Sequence, residues 1–215
     1  FDSNSIMALM QVSDIVDQAI DGNHNIDKIL YMPYVPYGRQ DKRSDHIGNE
    51  CLSLQQFANI INILKFDKVE VVDQHSFMSS KLINNCESLL PNYPADWIKC
   101  IPSGQVVMVS PDASSKDRCE FVSFDHGLDA SVIVCHKQRD PETGIITTLS
   151  LPEARQQAEL IKDRNVIVVD DICDGGSTHI QVAKLVKAFE PRSMTLMVTH
   201  GFFTKGKDEL NSVYD

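Results

Sequence analysis

Val166-Ile167-Val168-Val169-Asp170-Asp171-Ile172-Cys173-Asp174-Gly175-Gly176-Ser177-Thr178 is the stretch from which the fold can be read. Four β-branched residues open it, which is how a fully buried parallel strand reads. Asp170 and Asp171 stand where that strand is expected to end. Asp174, Gly175 and Gly176 make an acidic bend, and Ser177 and Thr178 follow. His179 to Phe189 then carries helical spacing, with Val182, Leu185, Val186 and Phe189 on one face.

That order has a chemical meaning. The first turn of a helix leaves backbone N–H groups unpaired, and its dipole favours an anion. Glycine lets the backbone approach a phosphate closely and accepts positive φ. Ser177 and Thr178 can donate to phosphate oxygens. The acids cannot hold a phosphate, because like charges repel, but carboxylates accept from sugar hydroxyls. Acids followed by an anion cradle describe a site for a sugar phosphate. The same residue types also serve as ordinary caps, yet three acids ahead of a double glycine exceed what a cap needs.

With 215 residues the chain can form one large or two small domains, and its 42% hydrophobic content supports a core. A formal net charge of −10 argues against nucleic acid or an anionic membrane as the main partner. Local basic clusters can still take a phosphorylated substrate. Six cysteines without a CxxC pair read as free thiols in a reducing cytoplasm. No apolar run approaches the ~20 residues of a membrane span, and no signal peptide is visible. The sequence begins at Phe1 rather than Met, so a portion of a longer protein is expected.

Residues 4–20 read as an amphipathic helix stopped by Asp21-Gly22-Asn23. A short strand is expected over 28–35, then a polar, basic loop, Tyr37-Gly38-Arg39-Gln40-Asp41-Lys42-Arg43. Ser53 and Gln56 have capping-box spacing ahead of a helix to about residue 65. A strand over 68–72 ends at Asp73-Gln74-His75-Ser76. Residues 77–105, broken by prolines, read as a link between two halves. Strands follow over 106–109 and 131–135, with a short helix from Ser114 between them. Pro152 fits the first position of a helix through residue 163. A last strand covers 193–199. Alternating strands and helices imply an α/β chain with doubly wound, mainly parallel sheets.

In such sheets ligands bind beyond the carboxyl ends of the strands. Mg²⁺ takes one or two protein ligands plus substrate phosphates, a demand that His75 and Asp112, each at a strand end, can meet. Lys137 and Arg139, two apart on an extended loop, point the same way and suit the clamping of a transferring phosphoryl group. Arg39 and Gln40 suit nucleotide phosphates or an adenine edge. His179 has no partner spacing and receives no role, and Cys173 has no histidine arranged with it.

Taken together, these clusters resemble the ribose-phosphate diphosphokinase family, the phosphoribosyl pyrophosphate synthetases, in order along nearly the whole chain. Tyr37-Gly38-Arg39-Gln40-Asp41 resembles Y-x-R-Q-D, and Asp73-Gln74-His75-Ser76 resembles D-L-H-(S/A). Val109-Ser110-Pro111-Asp112 resembles V-S-P-D, and His136-Lys137-Gln138-Arg139 resembles D-K-R-R. Asp170 to Thr178 resembles D-D-x-x-D-T-G-G-T, and Val198-Thr199-His200-Gly201 resembles A-T-H-(P/G).

The resemblance implies two phosphoribosyltransferase-like domains. Residues 1–95, incomplete at the N-terminus, would carry ATP-contacting loops, and residues 96–215 the ribose-phosphate loop. It implies transfer of the β,γ-diphosphoryl group of Mg-ATP to the 1-hydroxyl of ribose 5-phosphate by a cytoplasmic homo-oligomer. Arg39, Gln40, Asp41 and His75 would then contact ATP, and His75 and Asp112 would hold Mg²⁺. Lys137 and Arg139 would stabilise the transition state. Asp170, Asp171 and Asp174 would hold the sugar, and Gly175, Gly176, Ser177 and Thr178 its phosphate.

Three departures stand out. Ser114-Ser115 replaces the family's glycine pair after S-P-D, Gly175 replaces the threonine of D-T-G-G-T, and the F-P-D-G-E segment is not in the sequence. Gly175 is expected to leave space beyond the 5-phosphate, so a 5-substituted ribose such as ADP-ribose, as in NAD rebuilding, is an alternative acceptor. A phosphoribosyltransferase would not need the Arg39-Gln40 and Lys137/Arg139 clusters. A non-catalytic synthetase-associated subunit would not keep Lys137, Arg139, His75 and Asp112.

Overall fold

The computed structural model describes residues 3–23, 25–43, 50–93, 101, 104–140, 146–152 and 154–215. The chain divides into two compact units, Phe1–Pro91 and Asn92–Asp215. Among the described residues no helix is long and apolar enough to cross a membrane.

In the first unit α1 (Ser3–Ile20) precedes β1 (Ile29–Met32), α2 (Ser53–Ile63), β2 (Lys68–Val72), α3 (Met78–Leu82) and β3 (Cys86–Leu89). The three strands run parallel in the order β1-β2-β3. Leu54, Phe57, Ala58 and Ile61 form the apolar stripe of α2, and they pack on Met32, Val69 and Val71. Ile29 and Tyr31, which point the other way by strand alternation, are exposed.

In the second unit β4 (Val106–Ser110) leads through a 3-10 turn (Ala113–Ser115) into α4 (Lys116–Asp125). Next come β5 (Ser131–Val134), β6 (His136–Arg139), β7 (Ile146–Ser150) and α5 (Ala154–Ile161). β8 (Asn165–Cys173), α6 (Ser177–Lys187), β9 (Ser193–Gly201) and α7 (Asp208–Asn211) complete it. The main sheet is parallel, in the order β5-β4-β8-β9. Val166 and Val168 of β8 pack with Val182, Ala183 and Val186 of α6, while Ile167 and Val169 pack with Cys119 and Val122 of α4. Because both faces are covered, β8 must be apolar throughout, and this is why its run of β-branched residues does not alternate with polar ones.

Several expectations change. Residues 77–105 are not simply a link, since α3 and β3 lie within them; Cys86-Glu87-Ser88-Leu89 lacks apolar alternation, and α3 is five residues long, too short to show a period. Ser53 does not cap α2. The cap position is Leu52, without a side-chain bond, and the N–H of Gln56 reaches the Leu52 carbonyl at 3.2 Å instead. β8 runs on through both acids to Cys173, and α6 opens at Ser177, ahead of His179. α5 begins at Ala154, two residues after Pro152. Lys137 and Arg139 lie on a strand, not a loop: β6 pairs antiparallel with β7 in a separate two-stranded ribbon. Its register shifts between Gln138 and Arg139, with the extra residue, Thr147, on β7.

Lys28 is a buried cation of the first unit, 4% exposed. Its ammonium donates to both oxygens of Asp17 at 2.7 and 2.8 Å and to the Leu64 carbonyl at 2.8 Å. It therefore ties α1 to the end of α2. Lys28→Met should lower the urea midpoint, at a cost of about 1–3 kcal/mol for the carbonyl left unpaired. Lys162→Met, which removes the exposed Lys162–Glu190 pair, should change stability by less than about 0.5 kcal/mol. Urea titrations followed by circular dichroism compare the two.

Candidate functional site

β4 and β8 are neighbours, but β5 follows β4 on one side of the sheet and β9 follows β8 on the other. The connections diverge there, and the carboxyl ends of β4 and β8 border a crevice where open α/β sheets take ligands. Asp112 stands just past the end of β4. It opens the 3-10 turn, and its carboxylate accepts from the Ser114 N–H at 3.0 Å and from the Ser114 hydroxyl. Its second oxygen pairs with the Lys137 ammonium, brought in by β6. Burial alone would raise the Asp112 carboxyl, but Lys137 and Ser114 outweigh it and hold the group below its usual range.

Asp170 lies across this crevice on β8. Ser115 donates its hydroxyl to Asp170 Oδ1 at 2.5 Å, and the Asp171 N–H reaches the same oxygen at 3.0 Å. His179 Nε2 lies 3.0 Å from Oδ2. Burial opposes the charge on both partners. The hydrogen bond and mutual attraction nevertheless hold Asp170 well below the carboxylate range and push His179 up to about 9, with a further bond from the ring to Cys173. In its protonated form the imidazole donates from Nε2 to Asp170. Tyr214 donates its hydroxyl to the His179 carbonyl at 2.8 Å. Asp171, next along the strand, is buried at 6% exposure.

The bend after β8 is pinned by the segment that follows β9. The N–H of Phe202 bonds the Cys173 carbonyl at 2.8 Å, and Thr204 bonds Asp174 twice, N–H to carbonyl at 3.1 Å and hydroxyl to Oδ1 at 2.7 Å. Gly176 has φ +77° immediately before α6, a conformation that disfavours any side chain. The helix then starts at Ser177, so its first-turn N–H groups open toward the bend. Ser177 is exposed and Thr178 half-buried. Gly175 does not open free space. A Cβ there would lie 3.3 Å from Cδ and Cε of Lys205, whose stem already fills that volume.

In the first unit, Arg39, Gln40 and Asp41 follow a tight turn with Tyr37 at φ 61°. The Gln40 N–H bonds the Tyr37 carbonyl at 2.8 Å. A Cβ on Gly38 would sit 3.7 Å from His75 Cβ, so this turn and His75 lie side by side within the unit. In the second unit Asp112, Lys137, Asp170 and the 174–178 bend come together. Arg139 is on β6, but its side chain lies outside the described residues.

Four residues escaped the sequence reading: Ser115, His179, Thr204 and Lys205. Ser115 was visible only as a departure from a glycine pair. His179 lies nine residues from Asp170 across a bend, a separation with no periodic signature. It also faces Cys173, so a histidine does stand beside that thiol. Cys173 is fully buried and not placed to meet a substrate. Among the described residues no cluster of three or more His, Cys, Asp or Glu could cage a metal. Asp112, a single carboxylate at a crevice, fits a Mg²⁺ that brings waters and phosphates of its own.

The phosphoribosyl transferase domain model matches residues 100–215, more than half of the chain. A ribose-phosphate pyrophosphokinase of Mycoplasmopsis pulmonis is 23% identical over 207 residues, covering 96% of this chain and 60% of that protein. One from Campylobacter jejuni is 24% identical over 203 residues, covering 92% of this chain and 60% of that protein. This chain thus spans about 60% of the length of such curated relatives. Among solved structures, a phosphoribosylpyrophosphate synthetase from Mycobacterium smegmatis superposes with a TM-score of 0.73 at 18% identity. The superposition covers 97% of this chain and 64% of that one, a likeness of fold.

The His179–Asp170 pair makes stability depend on pH in a stated direction. The folded-state value of about 9 lies above the ordinary 6.5, so the pair's contribution is complete below about 6.5 and is lost as pH rises through 9. His179→Gln should remove that decline. Urea midpoints from pH 6 to 10 in wild type and variant measure it, and parallel curves would contradict the charged pair.

Proposed function

The chain belongs to the phosphoribosyl transferase domain family, and from that premise we propose that it transfers the β,γ-diphosphoryl group of Mg-ATP to the 1-hydroxyl of ribose 5-phosphate. The observation that carries this reading is the Lys137–Asp112 pair beside the Asp170–Thr178 bend. It joins a phosphoryl-clamping cation and a metal-binding carboxylate to a sugar-phosphate cradle. A phosphoribosyltransferase would need the cradle alone.

In the proposed reaction the 1-hydroxyl oxygen bonds to the β-phosphorus, and the bond from that phosphorus to the oxygen shared with the α-phosphorus breaks. AMP leaves with that oxygen, and the hydroxyl proton passes to water. Mg²⁺ held by Asp112 would neutralise phosphate charge. Lys137, and Arg139 further along β6, would offset the charge that develops on the equatorial oxygens. Asp171 and Asp174 would accept from ribose hydroxyls and fix the attacking oxygen, a positioning effect. Gly175, Gly176, Ser177 and Thr178 would present N–H and hydroxyl donors to the 5-phosphate. In the first unit Arg39, Gln40, Asp41 and His75 are the proposed nucleotide contacts, His75 also meeting the metal on ATP. A cytoplasmic homo-oligomer is part of the same proposal.

Lys205 bears on the acceptor. Its ammonium is one bond beyond Cε, which lies against Gly175. It is the cation proposed to answer the phosphate where Gly175 offers no hydroxyl. A cation at this point suits the terminal phosphate of ribose 5-phosphate better than the internal phosphate of a 5-substituted ribose such as ADP-ribose, which carries less charge.

Purified protein with Mg-ATP and ribose 5-phosphate should form AMP in step with acceptor consumption, and stoichiometric ADP would overturn the reading. Lys137→Ala should lower kcat by about 10²–10³ with a smaller change in KM. Lys205→Met should raise the KM for ribose 5-phosphate about tenfold, the loss of one charge-assisted hydrogen bond, while the KM for ATP stays put. Initial-rate kinetics with each substrate varied in turn checks both.

A further inference from the structure

Asp170 was expected to accept from the sugar, yet its carboxylate is committed inside the protein. Ser115 and the Asp171 N–H occupy Oδ1, and His179 occupies Oδ2. The Asp170 side chain is 13% exposed and that of His179 is 4% exposed. The three partners come from three different places. Ser115 ends the turn that begins at Asp112. Asp170 is on the central strand. His179 is in the first turn of α6, directly after the 174–178 bend, and its carbonyl is anchored by Tyr214. One carboxylate therefore connects the metal-side turn to the phosphate-side helix.

We propose that His179 is a positioning residue for the acceptor: with Ser115 it takes both oxygens of Asp170 and thereby sets the 174–178 bend in fixed register with Asp112. Asp170 then acts through these neighbours instead of touching the sugar. The inference rests on the proposed reading of the bend as the ribose-phosphate cradle. Its physical basis is that an ionised carboxylate this buried needs each oxygen paired. Without His179, Asp170 must recruit water or turn outward, and either shift moves the start of α6 relative to the crevice. Misplacement of a reacting group by about an ångström is enough to slow a reaction about a hundredfold.

The test uses three variants of the whole chain. His179→Leu keeps the volume and removes the donor. His179→Gln keeps a donor on a side chain of similar reach. Ser115→Ala releases the other oxygen with little change in volume. Initial rates with ribose 5-phosphate and ATP varied separately should show, for His179→Leu, an acceptor KM raised by about tenfold or more, as for a lost hydrogen bond to a charged group. The KM for ATP should stay within about twofold of wild type, inside the scatter of single-interaction effects. His179→Gln should recover most of the loss, and Ser115→Ala should move the acceptor KM in the same direction as His179→Leu. A purely structural histidine would instead lower the active fraction, reducing kcat without touching either KM. Asp170→Asn combined with His179→Leu should be no worse than the worse single change, because both cut one link.

An acceptor KM unchanged in both His179→Leu and Ser115→Ala, with Asp170→Asn alone impaired, would overturn the inference and return Asp170 to direct sugar contact. Wild-type protein that forms no AMP at all would overturn the underlying reading as well, a result distinct from active wild type with indifferent variants.

Discussion

The second unit depends on a buried charge that must be fully paired. β8 is covered by helices on both faces, so the strand that carries Asp170 to the crevice runs through a buried layer of the unit. A carboxylate at the end of such a strand cannot be left with an open lone pair without a cost of several kcal/mol. Ser115, the Asp171 N–H and His179 meet that demand. The polar order at the crevice then follows from the apolar order beneath it. Two layers of β-branched packing place the acid, and the acid recruits the turn after β4 and the first turn of α6.

Much of this was legible beforehand, for identifiable reasons. β8 and α6 were readable because Val166–Val169 lacks alternation and Val182, Leu185, Val186 and Phe189 repeat at helical spacing. These are signals written in covalent order. The parallel α/β class followed from strands alternating with helices, and the comparisons bear it out. What escaped was held by contacts distant in sequence or by elements with weak patterns. β3 and β7 are short and no more than half apolar, because a strand at the edge of a sheet or in a ribbon needs little apolar content. The tie between His179 and Asp170 exists only once the bend is folded. The Gly175 departure was seen, but its consequence was not. The volume it leaves is filled by Lys205, thirty residues later, and no local rule connects the two.

The first unit shows the opposite economy. α2 covers one face of its three-stranded sheet with a single stripe, and Lys28 fastens α1 to the end of that helix. The turn after β1 and the end of β2 are set by backbone geometry: Tyr37 and Asp73 both adopt positive φ, which turns the chain sharply just beyond the strands. Such positions hold Arg39, Gln40 and His75 at the surface on short, constrained segments, so these polar groups are presented with little conformational freedom of their own.

Among the described residues the strands β6 and β7 pair only with each other, and the Lys137–Asp112 ion pair is a point where the ribbon grips the main sheet. That grip and any dication held at Asp112 would draw on the same carboxylate. By reciprocity, a cation that loosens the ribbon is itself held less tightly by whatever strengthens the ribbon's docking, and by the same factor. The lysine is thus a resident competitor for the aspartate. On the proposed reading, cation arrival at Asp112 and release of the Lys137 ammonium would be two readings of one equilibrium.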